Sequence, residues 1–208
     1  MFGKMGSDTL GEALGLSDIG KVIDSENYSK TEAPNYTLNE DGETIHFLIK
    51  SKSDEYCFTN FALIHLDGSG AISRKILLRR YPYRVNPISN IYMETAGWID
   101  TDIEMNFKIN NKDFSIDVKK QDLNQVQGLY KALVKISEIQ EQNQKLYEDA
   151  SHSLKTASEV IQSIDKVEIN PEEQFNLINQ HAFAWMKSSR RVLMQKDFGQ
   201  VFETFVKG

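Results

Sequence analysis

Two hydrophobic periods, and the switch between them, predict an α+β protein. Its first part reads as a seven-stranded antiparallel barrel or sandwich closed by a helix, and its second as an all-helical extension. From Asp41 apolar residues recur at alternate positions: Ile45, Phe47 and Ile49, and later Ile103, Met105, Phe107 and Ile109. Half-buried antiparallel strands require this alternation, because successive side chains face opposite sides. Turn signals separate these runs at short intervals, among them Asp41-Gly42, Asp67-Gly68, Asn86-Pro87, Ala96-Gly97 and Asn110-Asn111. After Lys120 the spacing becomes three and four and stays so.

Residues 1–40 form a lead-in. Leu10, Leu14, Ile19, Val22 and Ile23 outline a short helix over Thr9 to Ile23, weakened by glycines at 11, 15 and 20, each costing a helix interior ~1 kcal/mol relative to Ala. Seven strands follow at 43–50, 55–59, 61–66, 72–81, 88–95, 101–109 and 112–119. Strands in succession without intervening helices point to a sandwich or small barrel. The expected core is Ile45, Phe47, Ile49, Phe58, Leu63, Ile76, Leu78, Ile91, Met93, Ile103, Met105, Phe107, Phe114 and Ile116. Val126, Leu129, Leu133 and Ile136 of the closing helix cap it.

The helical seam continues through Gln140, Asn143, Tyr147, Ala150, Leu154, Ala157, Ile161 and Ile164, with no Pro or Gly between Leu129 and Asn170. A helix over 122–166 is either continuous, spanning ~60 Å at 1.5 Å per residue, or broken near the polar pair Gln140 and Asn143. Asn170-Pro171-Glu172-Glu173 starts the next helix, with Asn at the cap and Pro at the first position. That helix carries Phe175, Leu177, Ile178, Phe183, Trp185 and Met186 on more than one face. A last helix after Asp197 places Phe198, Val201, Phe202, Phe205 and Val206 on one side. The domains expected are therefore 1–138 and 139–208.

Composition narrows the function classes. Thirty acids oppose 24 Lys and Arg, giving −6, and a mildly acidic chain without a basic domain is a poor nucleic-acid binder. The longest apolar run, Ala182 to Met186, falls far short of the roughly 20 residues of a membrane span. The first residues lack the continuous apolar stretch of a secretory signal, so a soluble, cytoplasmic protein is expected. A lone Cys57 excludes an intrachain disulfide and a Cys-cluster zinc site.

Particular strings carry a family resemblance. Phe58-Thr59-Asn60 followed by Leu63-Ile64, then Glu94-Thr95-Ala96-Gly97, then Asp102-Ile103-Glu104-Met105 before Phe114, resemble the bacterial pleckstrin-homology family over roughly residues 10–135. The tail from Asn170 resembles the YvbH-like oligomerisation region found after such domains. The resemblance implies a pleckstrin-homology-like fold, no enzymatic activity, no cofactor and self-assembly, with a further protein partner open. Eukaryotic relatives often bind phosphoinositides through basic residues of the first hairpin. Here that hairpin has Lys50 and Lys52, but Glu55-Tyr56-Cys57-Phe58 lacks the Arg such sites use. The tryptophans, Trp98 and Trp185, also lie outside the closing helix, where eukaryotic members carry one.

The leading reading is a self-assembling interaction module. Phe175, Trp185, Phe198, Val201, Phe202 and Phe205 are its candidate interface, because the tail holds more apolar surface than two short helices and one neighbour can cover. The alternative is a peripheral membrane or anionic-lipid adaptor using Lys50, Lys52, Arg74, Lys75, Arg79, Arg80 and Arg84. The simpler account of the Arg74–Arg84 stretch is an edge strand whose charges block pairing. Asp100, Asp102 and Glu104 share a strand face but stand nearly 7 Å apart, too far to share an ion. Cys57 with His46 or His65 offers a nucleophile and a base, yet a buried inert thiol is the commoner state. His152 and His181 have no metal-ligand spacing. Asp197-Phe198-Gly199, Gly68-Ser69-Gly70 and the sequons at Asn27 and Asn35 lack the context that would give them meaning.

Overall fold

The computed structural model describes residues 16–68, 77–95, 102–163 and 171–207. Eight strands appear: β1 (Lys21–Val22), β2 (Ile45–Lys50), β3 (Asp54–Thr59), β4 (Ala62–Asp67), β5 (Leu77–Pro82), β6 (Ile88–Thr95), β7 (Asp102–Ile109) and β8 (Lys112–Lys119). Three α-helices follow: α1 (Leu123–Ser163), α2 (Pro171–Leu193) and α3 (Gly199–Val206). Short 3-10 turns between Ser25 and Asp41 make a strap ahead of β2. The chain divides into two compact units, Met1–Ser137 with Lys196–Gly208, and Glu138–Gln195. The last 13 residues therefore leave the helical extension in which the sequence reading placed them and join the strands.

The strands form two antiparallel sheets rather than a closed barrel, ordered β1-β2-β3-β4-β5 and β6-β7-β8. Aromatic rings fill the space between them. Phe107 stacks on Phe114 at 5.0 Å, while Phe58 and Tyr81 reach across from the larger sheet at 6.2 and 5.3 Å. One seam between the sheets is bridged by Gly20, whose N–H donates to Asp117 O (2.8 Å) and whose carbonyl accepts from Lys119 N (2.9 Å). A Cβ here would lie 2.7 Å from Ile49 Cγ2 and 2.8 Å from Asp117 O, so the close approach requires glycine. This corrects the expected helix over Thr9–Ile23: among its described residues, Lys21–Val22 is a strand and residues 16–23 contain no helix. The start of α1 covers the sandwich with buried Val126, Leu129, Ala132, Leu133 and Ile136. The Ser137 hydroxyl donates to Ile88 O at 2.7 Å.

The larger sheet is buried on both faces, where alternation predicted one. Its outer face carries a second core of Ile23, Ala33, Leu48, Cys57, Ile64 and Leu66, with Tyr28 and Ile45 packed against it. A register shift between Ile45 and Phe47 turns Ile45 away from the inward side of Phe47, where the sequence had placed both. Leu78 is likewise displaced from the expected core. Tyr81 faces Phe114, so β5 directs Leu78 to the other side, and both Leu77 and Leu78 are exposed. Ile91 and Met93 on β6 are half-buried, and Ile76 lies outside the described residues.

Two buried glutamates fasten the strap over this second core. Glu55 accepts from Ala33 N (2.6 Å), Glu32 N (3.2 Å) and Lys50 Nζ (2.7 Å). Glu43 accepts from Leu38 N (2.7 Å), Thr59 Oγ1 (2.5 Å) and an Arg80 guanidinium N–H (2.8 Å). Burial pushes the Glu43 carboxyl up, but Arg80, the Leu38 N–H and the Thr59 hydroxyl outweigh it and hold it below its usual value.

Phe107 stands at the centre of the aromatic packing, buried against Phe58 and Phe114. Truncating it to Ala is expected to lower stability by about 3–5 kcal/mol, as measured by urea unfolding. A loss under 1 kcal/mol would place the shared core elsewhere.

Candidate functional site

The C-terminal helix is seated in a groove of the strand unit. Asn60, buried at the turn after β3, accepts from Phe198 N on its carbonyl at 2.9 Å and donates from Nδ2 to Asp197 Oδ2 at 3.1 Å. Its Oδ1 accepts from Thr44 N at 2.8 Å, so one side chain ties the start of β2 to the start of α3. Phe198 is 1% exposed and Phe202 0%. Phe198 meets the buried Tyr83 ring edge-on at 5.8 Å, and Phe202 stacks on His46 at 5.3 Å with 13° between planes. The far end of α3 passes so close to α1 that a Cβ on Gly128 would lie 2.5 Å from Phe205 O. Glycine at 128 is the notch that admits this backbone.

His46 is the titratable group of β2 that meets α3. Its Nε2 lies 3.1 Å from Thr44 Oγ1 and its Nδ1 3.2 Å from Glu203 Oε1. The same Glu203 oxygen already accepts from Lys207 Nζ at 2.6 Å. Burial and the nearby Lys207 charge depress the imidazole below its ordinary value, outweighing Glu203 and Asp197.

Six residues were expected at a subunit interface, and their places differ. Phe198, Val201 and Phe202 are buried against the strand unit. Asn60, His46, Tyr83 and the Gly128 notch supply the cover. Phe205 is half-buried, Trp185 is exposed, and the Phe175 side chain lies outside the described residues.

The helical unit Glu138–Gln195 presents the opposite condition. Within it, none of the described side chains is buried. α1 runs unbroken past Gln140 and Asn143 to Ser163, which decides between the two readings of 122–166. Its half-buried positions include Asn143, Tyr147, Ala150, Leu154 and Ser158. Leu177, Phe183, Trp185 and Met186 of α2 all stand exposed, Phe183 at 64% and Leu177 at 62%.

Among the described basic residues, three are committed to carboxylates. Lys50 and Arg80 neutralise the buried glutamates, and Arg79 NH1 lies 3.4 Å from Asp67 Oδ2. Lys52 and Arg84 are exposed, while Arg74 and Lys75 lie outside the described residues. Cys57 is fully buried in the outer core, where burial pushes its thiol well up, with Glu55 and Glu43 adding to the effect. His65 is engaged by Asp54 Oδ1 at 3.0 Å and stacks on Tyr56, so neither histidine serves the thiol as base. Asp102 and Glu104 project from β7, Glu104 accepting from Ser115 Oγ, and Asp100 lies outside the described residues. No described helix is long and apolar enough to cross a membrane.

A helix-capped antiparallel sandwich with a helical extension defines a pleckstrin-homology-like interaction module, a class that is generally non-catalytic. The chain belongs to the bacterial PH domain family, whose model matches residues 13–137, and a YvbH-like oligomerisation region matches residues 148–207. It is 45% identical over 206 residues to the protein YvbH of Bacillus subtilis strain 168, covering 99% of both chains. The B. subtilis protein YozO is 28% identical over 117 residues, covering 56% of this chain and 94% of its own. The crystal structure of a PH-domain-containing protein from Exiguobacterium sibiricum superposes with a TM-score of 0.83 at 44% identity, covering 91% of this chain and 100% of that one. The family resemblance read from the Phe58-Thr59-Asn60 and tail strings is thus confirmed.

Two outcomes follow for α3. Because the folded pKa of His46 is depressed, the native state binds fewer protons than the unfolded chain below pH ~6.5, and stability falls as pH drops through that region. The wild type should lose more Tm between pH 7.5 and 5.5 than His46→Phe, which keeps the ring stack without the titration; equal slopes would remove His46 from the account. Gly128→Ala should cost Phe202 about tenfold or more in amide-exchange protection while β3 stays protected. Undiminished protection of Phe202 would mean that the notch does not govern docking.

Proposed function

We propose that the protein is a non-enzymatic scaffold that assembles with itself through residues 138–195, leaving the PH-like unit free to engage a further protein. The observation that carries this reading is the exposure of the helical unit. Fifty-eight residues, Glu138–Gln195, contain no buried side chain among those described, yet carry Leu146, Leu177, Phe183, Trp185 and Met186 in the open. Ordering a backbone residue costs about 1–2 kcal/mol, which apolar burial must offset. Helical stability in proteins comes mostly from packing of an apolar face, and apolar patches of this kind mark contacts. A second copy brings the same uncovered faces, and self-complementary pairing is the commonest way soluble chains associate. The match to an oligomerisation region supports the same reading from a separate direction.

Attachment to anionic lipid has less support. Lys50, Arg79 and Arg80 are committed to carboxylates within the fold, and charges so paired contribute little to a surface potential.

Light scattering on the full chain tests the proposal. The parent is expected to sediment and scatter as an oligomer. The double substitution Leu177→Lys with Phe183→Lys should release folded monomer whose strand unit melts as before, since both positions lie outside it. A parent that is monomeric at about 50 μM, well above the Kd of a specific interface, would sink the proposal.

A further inference from the structure

The groove that holds α3 is reached through an arm of which no described side chain is buried. Residues 138–195 carry no buried side chain among those described, whereas Phe198 and Phe202, a few residues further on, are almost wholly enclosed. We infer that in the assembled protein α3 is exchanged, the C-terminal helix of one copy filling the His46–Tyr83–Gly128 groove of a second copy. This inference rests on the self-assembly reading above and names the contact that accompanies it.

Every contact that seats α3 is indifferent to which chain supplies it. Asn60 reads Asp197 and Phe198 through two hydrogen bonds. Tyr83 and His46 receive the two phenylalanine rings, and Gly128 admits the Phe205 backbone. None of these partners is closer than 60 residues in sequence to the segment it binds. An eight-residue helix is marginal alone in water, so each copy's α3 needs a groove and each groove needs an α3. What selects between a chain's own groove and a neighbour's is where the arm's apolar side chains find their cover.

None of the arm's described side chains is buried. Residues 194–198 between α2 and α3 are non-helical and form the joint. If Leu177, Phe183, Trp185 and Met186 find their cover on another copy, α2 goes with that copy and carries α3 towards its strand unit. Exchange of an identical element replaces each contact with an equal one and so costs little. Once the arms associate, the second contact is intramolecular within the assembly and is favoured by its high effective concentration. The oligomerisation-region match also runs to residue 207 and so includes α3, although α3 packs with the strands.

Photo-crosslinking on the full chain separates the two arrangements. p-Benzoylphenylalanine at position 207, beside Glu203 and His46, is irradiated in dilute protein, and the products are run on a denaturing gel. Position 204 on the same helix serves as a second probe in case the first disturbs docking. Covalent dimers joined between the tail peptide of one chain and the β2 or β4–β5 peptides of another are expected. Intrachain products alone, or none, from a chain that light scattering still shows to be oligomeric would overturn the exchange and leave self-assembly standing. A monomeric parent would overturn both.

Discussion

Glu43 and Glu55 each lose nearly all contact with water, and much of the strand unit is arranged around that loss. An ionised carboxylate taken from water costs several kcal/mol unless charge and hydrogen bonds replace its hydration. Each glutamate therefore collects one cation and at least one backbone N–H of the strap: Lys50 with Ala33 and Glu32 for Glu55, Arg80 with Leu38 for Glu43. The same bonds that neutralise the carboxylates press the strap onto Leu48, Cys57, Ile64 and Leu66. The outer face of the larger sheet is thereby dry. The two cations so used, Lys50 and Arg80, are committed within the fold.

Much of the fold was legible because it depends on local period. Among the described residues, the seven strands of 43–119 recur close to their expected limits, since alternation and turn chemistry are written within each short segment. The core around Phe58, Phe107 and Phe114 follows from the same signal. The outer core was missed, although a cue existed: Phe47-Leu48-Ile49 and Ala62-Leu63-Ile64 are continuous apolar runs, as strands buried on both faces require. The bulge at Ile45 and the strand at Lys21–Val22 depend on neighbours that the local pattern does not specify. For the candidate site the limit is sharper. The spacing of Phe198, Val201 and Phe202 announces an apolar face but not its cover, because Asn60 is 137 residues away from Asp197. The ion pairs of Lys50 and Arg80 were invisible for a related reason, since a charge in sequence carries no mark of its counterion.

The two units divide the work of burial unequally. The strand unit encloses two cores, one between its sheets and one beneath the strap. The helical unit encloses none among its described side chains, and its apolar residues are spread over α2 rather than gathered into a single stripe. A helix of that kind suits contact with more than one neighbour, as in a bundle. Under the proposed self-assembly, stability would be tied to concentration for one unit and to internal packing for the other.

The strand unit is also discontinuous, comprising residues up to 137 and then those from 196. A ribosome delivers the first part, and with it an unfilled groove, before it has made the helix that fills it. At a synthesis rate of about 5–20 residues per second, the intervening 58 residues occupy roughly 3–12 s. Throughout that interval Tyr83, His46 and the Gly128 notch are without their helix on every nascent chain, while completed chains nearby already carry one.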